Sequence, residues 1–243
     1  MQRGVELRDG ADVALFGVGG VDMTNVAFVK INGSLKAGHA AHRECSADQN
    51  AQAPREVSVR RIRYVVATSV DGYIAGPKGE ADWIIRDSEI DFRALFDEFD
   101  TVLLGRRTYE ITQSPGAPPW PAGMSVYVFS RTLRQRDHPE ATIVAEKLED
   151  TLAALRARSG KDIWLFGGSS LFQSLLGAGL VDTLEVTVSP VLLGGGIPLL
   201  PPPAKQTKLE LIGHRVYKTG IVSLRYAVQG RSATKARGRR TSA

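Results

Sequence analysis

The chain has 243 residues, 43% of them hydrophobic and 23% charged, with one cysteine (Cys45), so a soluble globular domain is expected, while a disulfide framework or a four-cysteine zinc site is excluded. The net charge of +5 and the pI near 9.4 point first to nucleic acid, but residues 229–243 hold five bases (Arg231, Lys235, Arg237, Arg239, Arg240) and no acid, and the remainder carries 26 of each sign. Such a tail reads as solvated disorder, no nucleic-acid partner is expected, and cysteine usage suits a reducing cytoplasm.

Residues 1–57 lack sustained periodicity, and Lys36 to Arg55 is polar and Ala-rich, so this stretch reads as a disordered extension. Charged residues precede the short apolar run Val13 to Val18, unlike a secretory signal or transit peptide, and no window is apolar for long enough to cross a bilayer. No membrane partner is expected. The string Gly17-Val18-Gly19-Gly20 has no strand–turn–helix unit around it to make a phosphate loop. His39, His42 and Cys45 fall in a polar segment and read as incidental, so no metal site is expected.

From Arg61 the texture changes. A β-branched run predicts a buried strand over Ile62 to Thr68, followed by a loop. Helical spacing of Phe92, Leu95, Phe96 and Phe99, with Ser88 and Asp91 as a capping box, predicts a helix over Ser88 to Phe99. Strand Thr101 to Leu104, a short helix after Arg107, a loop holding Pro115, Pro118, Pro119 and Pro121, and strand Ser125 to Phe129 come next. Strand Thr142 to Val144, helix Leu148 to Ser159, strand Asp162 to Phe166 and helix Ser169 to Leu176 continue the alternation. Thr183 to Val188 reads as a strand, and Lys208 to Val216 with Ile221 to Val228 as a hairpin around Lys218-Thr219-Gly220. This order predicts a three-layer α/β/α domain over residues 58–228: a mainly parallel sheet, helices on both faces and an antiparallel C-terminal edge.

Three strand-to-helix turns carry the chemistry. Gly167-Gly168-Ser169-Ser170-Leu171 follows an apolar strand; its glycines let a backbone approach a ligand and the helix start attracts phosphate, although paired glycines also serve a tight connection. Gly105-Arg106-Arg107-Thr108 adds two guanidinium groups that can grip phosphate oxygens and a hydroxyl. Ser130-Arg131 ends the next strand, where an acid would favour NAD and a base favours the extra phosphate of NADP. Sheets of this kind bind nucleotides at the carboxyl ends of their strands, so all three turns can line one crevice.

With these residues in hand, the chain resembles the dihydrofolate-reductase-like fold, and within it the riboflavin-biosynthesis reductase domain and its stand-alone bacterial relatives. The resemblance spans about residues 60 to 228. It rests on the three turns together with Ala67-Thr68-Ser69-Val70-Asp71-Gly72-Tyr73-Ile74-Ala75, Asp82-Trp83 and Leu193-Gly194-Gly195-Gly196. It implies an NADPH-dependent oxidoreductase of a pterin, pyrimidine or ribosylaminopyrimidine-like substrate. In that family the Gly-Arg-x-Thr and Ser-Arg turns hold the adenosine phosphates, the double glycine cradles the pyrophosphate, and the loop after the first strand, from Ala67 to Ile74, closes over the nicotinamide. It also implies a homodimer through the C-terminal strands. The extension lacks the His-x-Glu and Pro-Cys-x-x-Cys patterns of the deaminase half that such reductases often carry, so deamination is not expected.

On the substrate side, a hydride acceptor usually needs a proton donor nearby. Asp87, Glu89 and Asp91 compete at the first helix; on a helical wheel Glu89 lies beside the apolar stripe, while Asp87 and Asp91 point away and have capping work available. Asp71, in the Ser-x-Asp-Gly turn, is the other catalytic candidate and also a substrate contact. Trp83 either walls the pocket or fills the core. The alternative function is a catalytically silent relative that binds nucleotide as a sensor or scaffold.

Overall fold

The β-branched run after Arg61 forms β1 (Ile62–Ser69), with every residue buried, because it runs through the middle of an eight-stranded sheet and both of its faces are covered. The computed structural model describes residues 59–229. The N-terminal extension with Gly17 to Gly20, His39, His42 and Cys45, and the five bases of the tail, lie outside the described residues. After β1 come β2 (Tyr73–Ala75), α1 (Phe92–Asp97), β3 (Phe99–Gly105), α2 (Arg106–Thr112), β4 (Ser125–Phe129), β5 (Thr142–Val144) and α3 (Leu148–Ala157). Then follow β6 (Asp162–Gly167), α4 (Ser169–Gly177), β7 (Thr183–Ser189), β8 (Ile197–Pro198), β9 (Leu209–Val216) and β10 (Val222–Val228).

The main sheet has the order β5-β4-β3-β6-β1-β7-β10-β9. Its first six strands pair in parallel, and β10 runs antiparallel to both β7 and β9. Right-handed crossovers then place the helices. Connections through α1 and α2 step from β1 towards β5, whereas those through α3 and α4 step the other way, so the two pairs cover opposite faces. Ring contacts agree: Phe96 of α1 meets Trp164 edge-on at 5.2 Å, and Phe172 of α4 stacks on Tyr64 at 4.1 Å. Trp164 and Tyr64 stand on opposite faces, since Arg63 is the register partner of Trp164. Tyr64, Trp164 and Phe172 are fully buried, and each such ring contributes about 1.5–3 kcal/mol by leaving water.

The predicted helix over Ser88 to Phe99 is corrected at both ends. Asp91 itself is the N-cap, accepting from the Ala94 N–H at 2.9 Å, and the helix stops at Asp97. Phe99 opens β3, where it stacks on Trp164 at 5.1 Å beneath the Arg63 guanidinium, 4.7 Å from its ring centre. The apolar period therefore runs across an element boundary. Two short strands were not predicted, β2 and β8, which pair with each other far apart in sequence (Ala75 with Ile197) and have too little length for an alternating pattern.

Candidate active site

Because α2 leaves β3 in one direction and α4 leaves β6 in the other, neighbouring strands β3 and β6 part at their carboxyl ends. Open α/β sheets bind ligands at such a switch point. A cavity of about 450 Å³ lies there, walled by Gly105, Arg106, Arg107 and Thr108 after β3, by Phe129, Ser130 and Arg131 after β4, and by Gly168, Ser170, Leu171 and Ser174 after β6. The turns nearly touch: a Cβ on Gly105 would sit 3.6 Å from the Gly168 nitrogen. The Gly167–Gly168 peptide is cis.

The local chemistry is basic and rich in donors. Thr108 is buried, and its Oγ1, in the cavity wall, has no hydrogen-bond partner among the described residues. Gly168 caps the nine-residue α4 without a side-chain bond, so the positive end of that helix faces the cavity. Arg106 is paired with Glu110 at 2.8 Å, one turn along α2, whereas Arg131 is exposed and makes no ion pair among the described residues. The Ser130 hydroxyl accepts from the N–H groups of Thr132 and Leu133, at 3.2 and 3.1 Å, and so shapes the turn that presents Arg131.

A fourth wall, absent from the sequence reading, is the β5–α3 turn: Val144, Ala145, Glu146, Lys147 and Leu148. It lies at another strand end and was findable on that ground, but it carries neither the glycine nor the arginine that marked the others. Lys147 sits there in the left-handed region (φ 57°), a conformation costly for a residue with a side chain. Glu146 is the one carboxylate in the cavity wall among the described residues. A buried hydroxyl without a partner, three arginines, a lysine and a helix N-terminus fit the phosphates of a dinucleotide.

Four of the residues that the resemblance assigns to cofactor lie outside this wall. Gly167 and Ser169 flank it within β6 and α4, and Ala67 and Ile74 are buried in β1 and β2. Asp71 is held by three donors: the Ser69 hydroxyl at 2.6 Å and the N–H groups of Leu193 and Gly194 at 3.1 and 2.7 Å. The Ser69 bond foremost, helped by the two N–H groups, outweighs desolvation and holds the Asp71 carboxyl below its ordinary value. Around it Val70 donates to Val191, Leu199 donates to Gly72, and β2 pairs with β8. Gly196 is obligatory there, because a Cβ would collide with the Ala75 carbonyl.

Glu89 precedes α1, so the helical wheel that favoured it does not apply. Its carboxylate meets Arg215 at 3.1 Å and Lys218 at 3.5 Å, both from the β9–β10 hairpin. Beside it, Asp87 accepts from Thr219 at 2.6 Å and from the Glu89 N–H at 2.8 Å, and these two bonds, in that order, hold its carboxyl below the ordinary value. The Trp83 indole donates to the Glu80 carbonyl at 3.0 Å, and the ring is absent from the cavity wall. Among the described residues no cluster of His, Cys, Asp and Glu could hold a metal, and no helix is long and apolar enough to cross a membrane.

Residues 60–223 match the model of the RibD C-terminal domain. The chain belongs to that family. YyaP of Bacillus subtilis (strain 168), an uncharacterized protein, is 32% identical over 182 residues, covering 70% of this chain and 96% of YyaP. A crystal structure assigned to riboflavin biosynthesis in Shewanella sp. PV-4 superposes with a TM-score of 0.61 at 29% identity, over 70% of this chain and 99% of that one. Dihydrofolate reductase of Enterococcus faecalis, solved with NADP(H), shares the fold at 19% identity, with a TM-score of 0.52 over 70% of this chain and 97% of its own. The expected dihydrofolate-reductase-like architecture and the kinship with the riboflavin-biosynthesis reductase domain are both shown.

Proposed function

We propose that the protein is an NADPH-dependent reductase of a small heterocycle, a pterin, pyrimidine or ribosylaminopyrimidine, to which the bound dinucleotide would deliver a hydride. The observation that carries this reading is the donor-rich cavity at the β3–β6 switch point. Its arginines and Lys147 would neutralise phosphate, and the Thr108 hydroxyl would gain the partner it lacks. Gly105 and Gly168 would let the pyrophosphate approach the backbone, with Gly167, Ser169, Ser170 and Leu171 shaping that turn. Arg131, presented by the Ser130 turn, would select the extra phosphate of NADP over NAD. Ala67 and Ile74 would flank the nicotinamide.

On the substrate side Asp71 takes a positioning part. A proton donor works best with a raised pKa, and this carboxyl is lowered; its bonds instead tie the β1–β2 loop to residues 193–194. Glu89 is left as the proposed proton-holding group and Trp83 as a wall of the substrate side. Isothermal titration of the full chain with NADPH, followed by absorbance at the reduced-nicotinamide band across pterins, flavins and aminopyrimidines, tests the reading. Micromolar NADPH binding with turnover of one of these classes is expected, and undetectable binding overturns it.

One observation favours the second reading, a silent nucleotide binder: both catalytic carboxylate candidates are already engaged, Asp71 by three donors and Glu89 by two cations. Tight NADPH binding without oxidation on any panel member would select it. A homodimer belongs to the same proposal. Edge strand β9 exposes Leu209, Leu211, Ile212 and Val216, and an apolar unpaired edge is a liability in a lone chain that a second copy would cover. A cytoplasmic setting completes it.

A further inference from the structure

The chain has three tryptophans, and their indole N–H groups are not treated alike. Trp83 donates to the Glu80 carbonyl at 3.0 Å and Trp164 to the Val65 carbonyl at 3.4 Å. The Nε1 of Trp120 is enclosed like that of Trp164, yet it has no acceptor among the described residues. A buried donor left unmet costs about 1–3 kcal/mol, and such groups are rare enough in native proteins to need a reason.

Its position supplies one. Trp120 lies in the α2–β4 loop and stands edge-on to Phe166, with ring centres 5.1 Å apart and an interplanar angle of 87°. Phe166 shares a face of β6 with Trp164, the face covered by α1, and it directly precedes the Gly167–Gly168 turn of the cofactor cavity. Trp120 thus stands beside the strand end that leads into the cavity, on the face of the sheet that α1 covers. Pro118, Pro119 and Pro121 bracket it; they fix φ and remove backbone donors, so the loop presents the indole with little freedom of its own. Core filling alone would be met by phenylalanine, which has no donor to satisfy.

We infer that Trp120 is a substrate-recognition residue whose indole N–H donates to a ring nitrogen or carbonyl oxygen of the heterocycle, while Phe166 packs against the heterocycle's flat face. The occupant's class rests on the reductase reading; the donor and its site do not. Because the N–H is enclosed in this conformation, binding requires the proline-rich loop to lift from Phe166.

The test uses the full chain with NADPH, and pterin and diaminohydroxypyrimidine as probes. Trp120→Phe keeps the ring and removes the donor, and about a tenfold loss of affinity for at least one probe is expected, with NADPH affinity unchanged. In the unsubstituted protein labelled with nitrogen-15, the Trp120 indole resonance, assigned through its sequential contacts to Pro119 and Pro121, should move downfield on adding that probe. This second measurement holds even where W120F does not fold. Equal probe affinity in W120F, an unmoved indole resonance, or failure of the unsubstituted protein to bind either probe overturns the inference. Absence of NADPH binding with Trp120-dependent probe binding would instead remove the cofactor reading and leave this one standing.

Discussion

The two ends of the sheet treat their cations in opposite ways. At the amino end, Arg63 is buried among Glu98, Asp162 and Glu185, Arg60 meets Asp100 and Thr101, Arg156 meets Asp182, and Arg225 closes on Glu185 at 3.0 Å. At the carboxyl end the described residues of the cavity wall set Arg106, Arg107, Arg131 and Lys147 against one carboxylate, Glu146, and leave a buried threonine hydroxyl without a partner among the described residues. The amino end has its charges matched from within, whereas in the cavity wall Arg106 pairs with Glu110 of its own helix and Arg131 and Lys147 make no ion pair among the described residues, open to charges that come from outside. Stability and binding are thereby placed on separate ends of the same strands, so substitutions at the two ends should separate them.

The largest effect is expected at the matched end. Arg63→Ala leaves Glu185 and Asp162 short of their buried counter-charge, and a loss of about 3–5 kcal/mol in unfolding free energy is expected by chemical denaturation, with the NADPH affinity of the folded fraction unaltered. A change below about 1 kcal/mol would show that the network is ornamental. Next comes Arg131→Ala at the open end. Thermal stability should stay within a degree or two, whereas NADPH affinity should fall by roughly ten- to a hundredfold and NADH affinity little, as for loss of one charge-assisted phosphate contact. Equal losses for both nucleotides would refute a role in telling them apart.

Thr108→Val is smaller and more pointed. Replacing an unpartnered buried hydroxyl by a methyl of the same shape should leave the melting temperature unchanged or slightly higher, while NADPH binding weakens about two- to tenfold. The smallest effect is acid sensitivity. Burial pushes the Asp162 carboxyl up, but the hydrogen bonds of Arg61 and the charges of Arg61 and Arg63 together outweigh this and hold it below its ordinary value. Its contribution is present above the unfolded value of about 3.9 and is lost as pH falls through the lower folded value. Asp162→Asn should therefore reduce stability at neutral pH and flatten its decline below about pH 4 in a denaturant series. An unchanged acid limb would assign that decline to other carboxylates.

The same contrast explains what could be read without coordinates. Turns at the open end announce themselves in short strings that are weak singly and telling at successive strand ends; Gly105 to Thr108, Ser130-Arg131, and Gly168, Ser170 and Leu171 were all legible and fall together in one wall. The lysine turn at Ala145 to Leu148 was not, since its place in the wall comes from the position of β5 in the sheet and not from residue type. Partners far apart in sequence were equally hidden. Neither the grip of Leu193 and Gly194 on Asp71 nor that of Arg215 and Lys218 on Glu89 leaves a local pattern, and Phe99 kept helical spacing while starting a strand. Trp120 carries no sequence signal at all, since the lack of a partner for its donor among the described residues is visible only in the fold.

The stapling of Asp71 to residues 193–194 also bears on the order in which a ribosome delivers this protein. The β1–β2 loop emerges early, but the N–H groups that fix Asp71, the Val191 carbonyl and strand β8 emerge some 120 residues later. At about 5–20 residues per second, the loop waits seconds for its counterpart, while β3, β4 and β6 with their turns are already made. A nascent chain halted near residue 180 would thus carry the three cavity turns beside an unfastened loop, and the Asp71 staple would be among the last parts of the molecule to take shape.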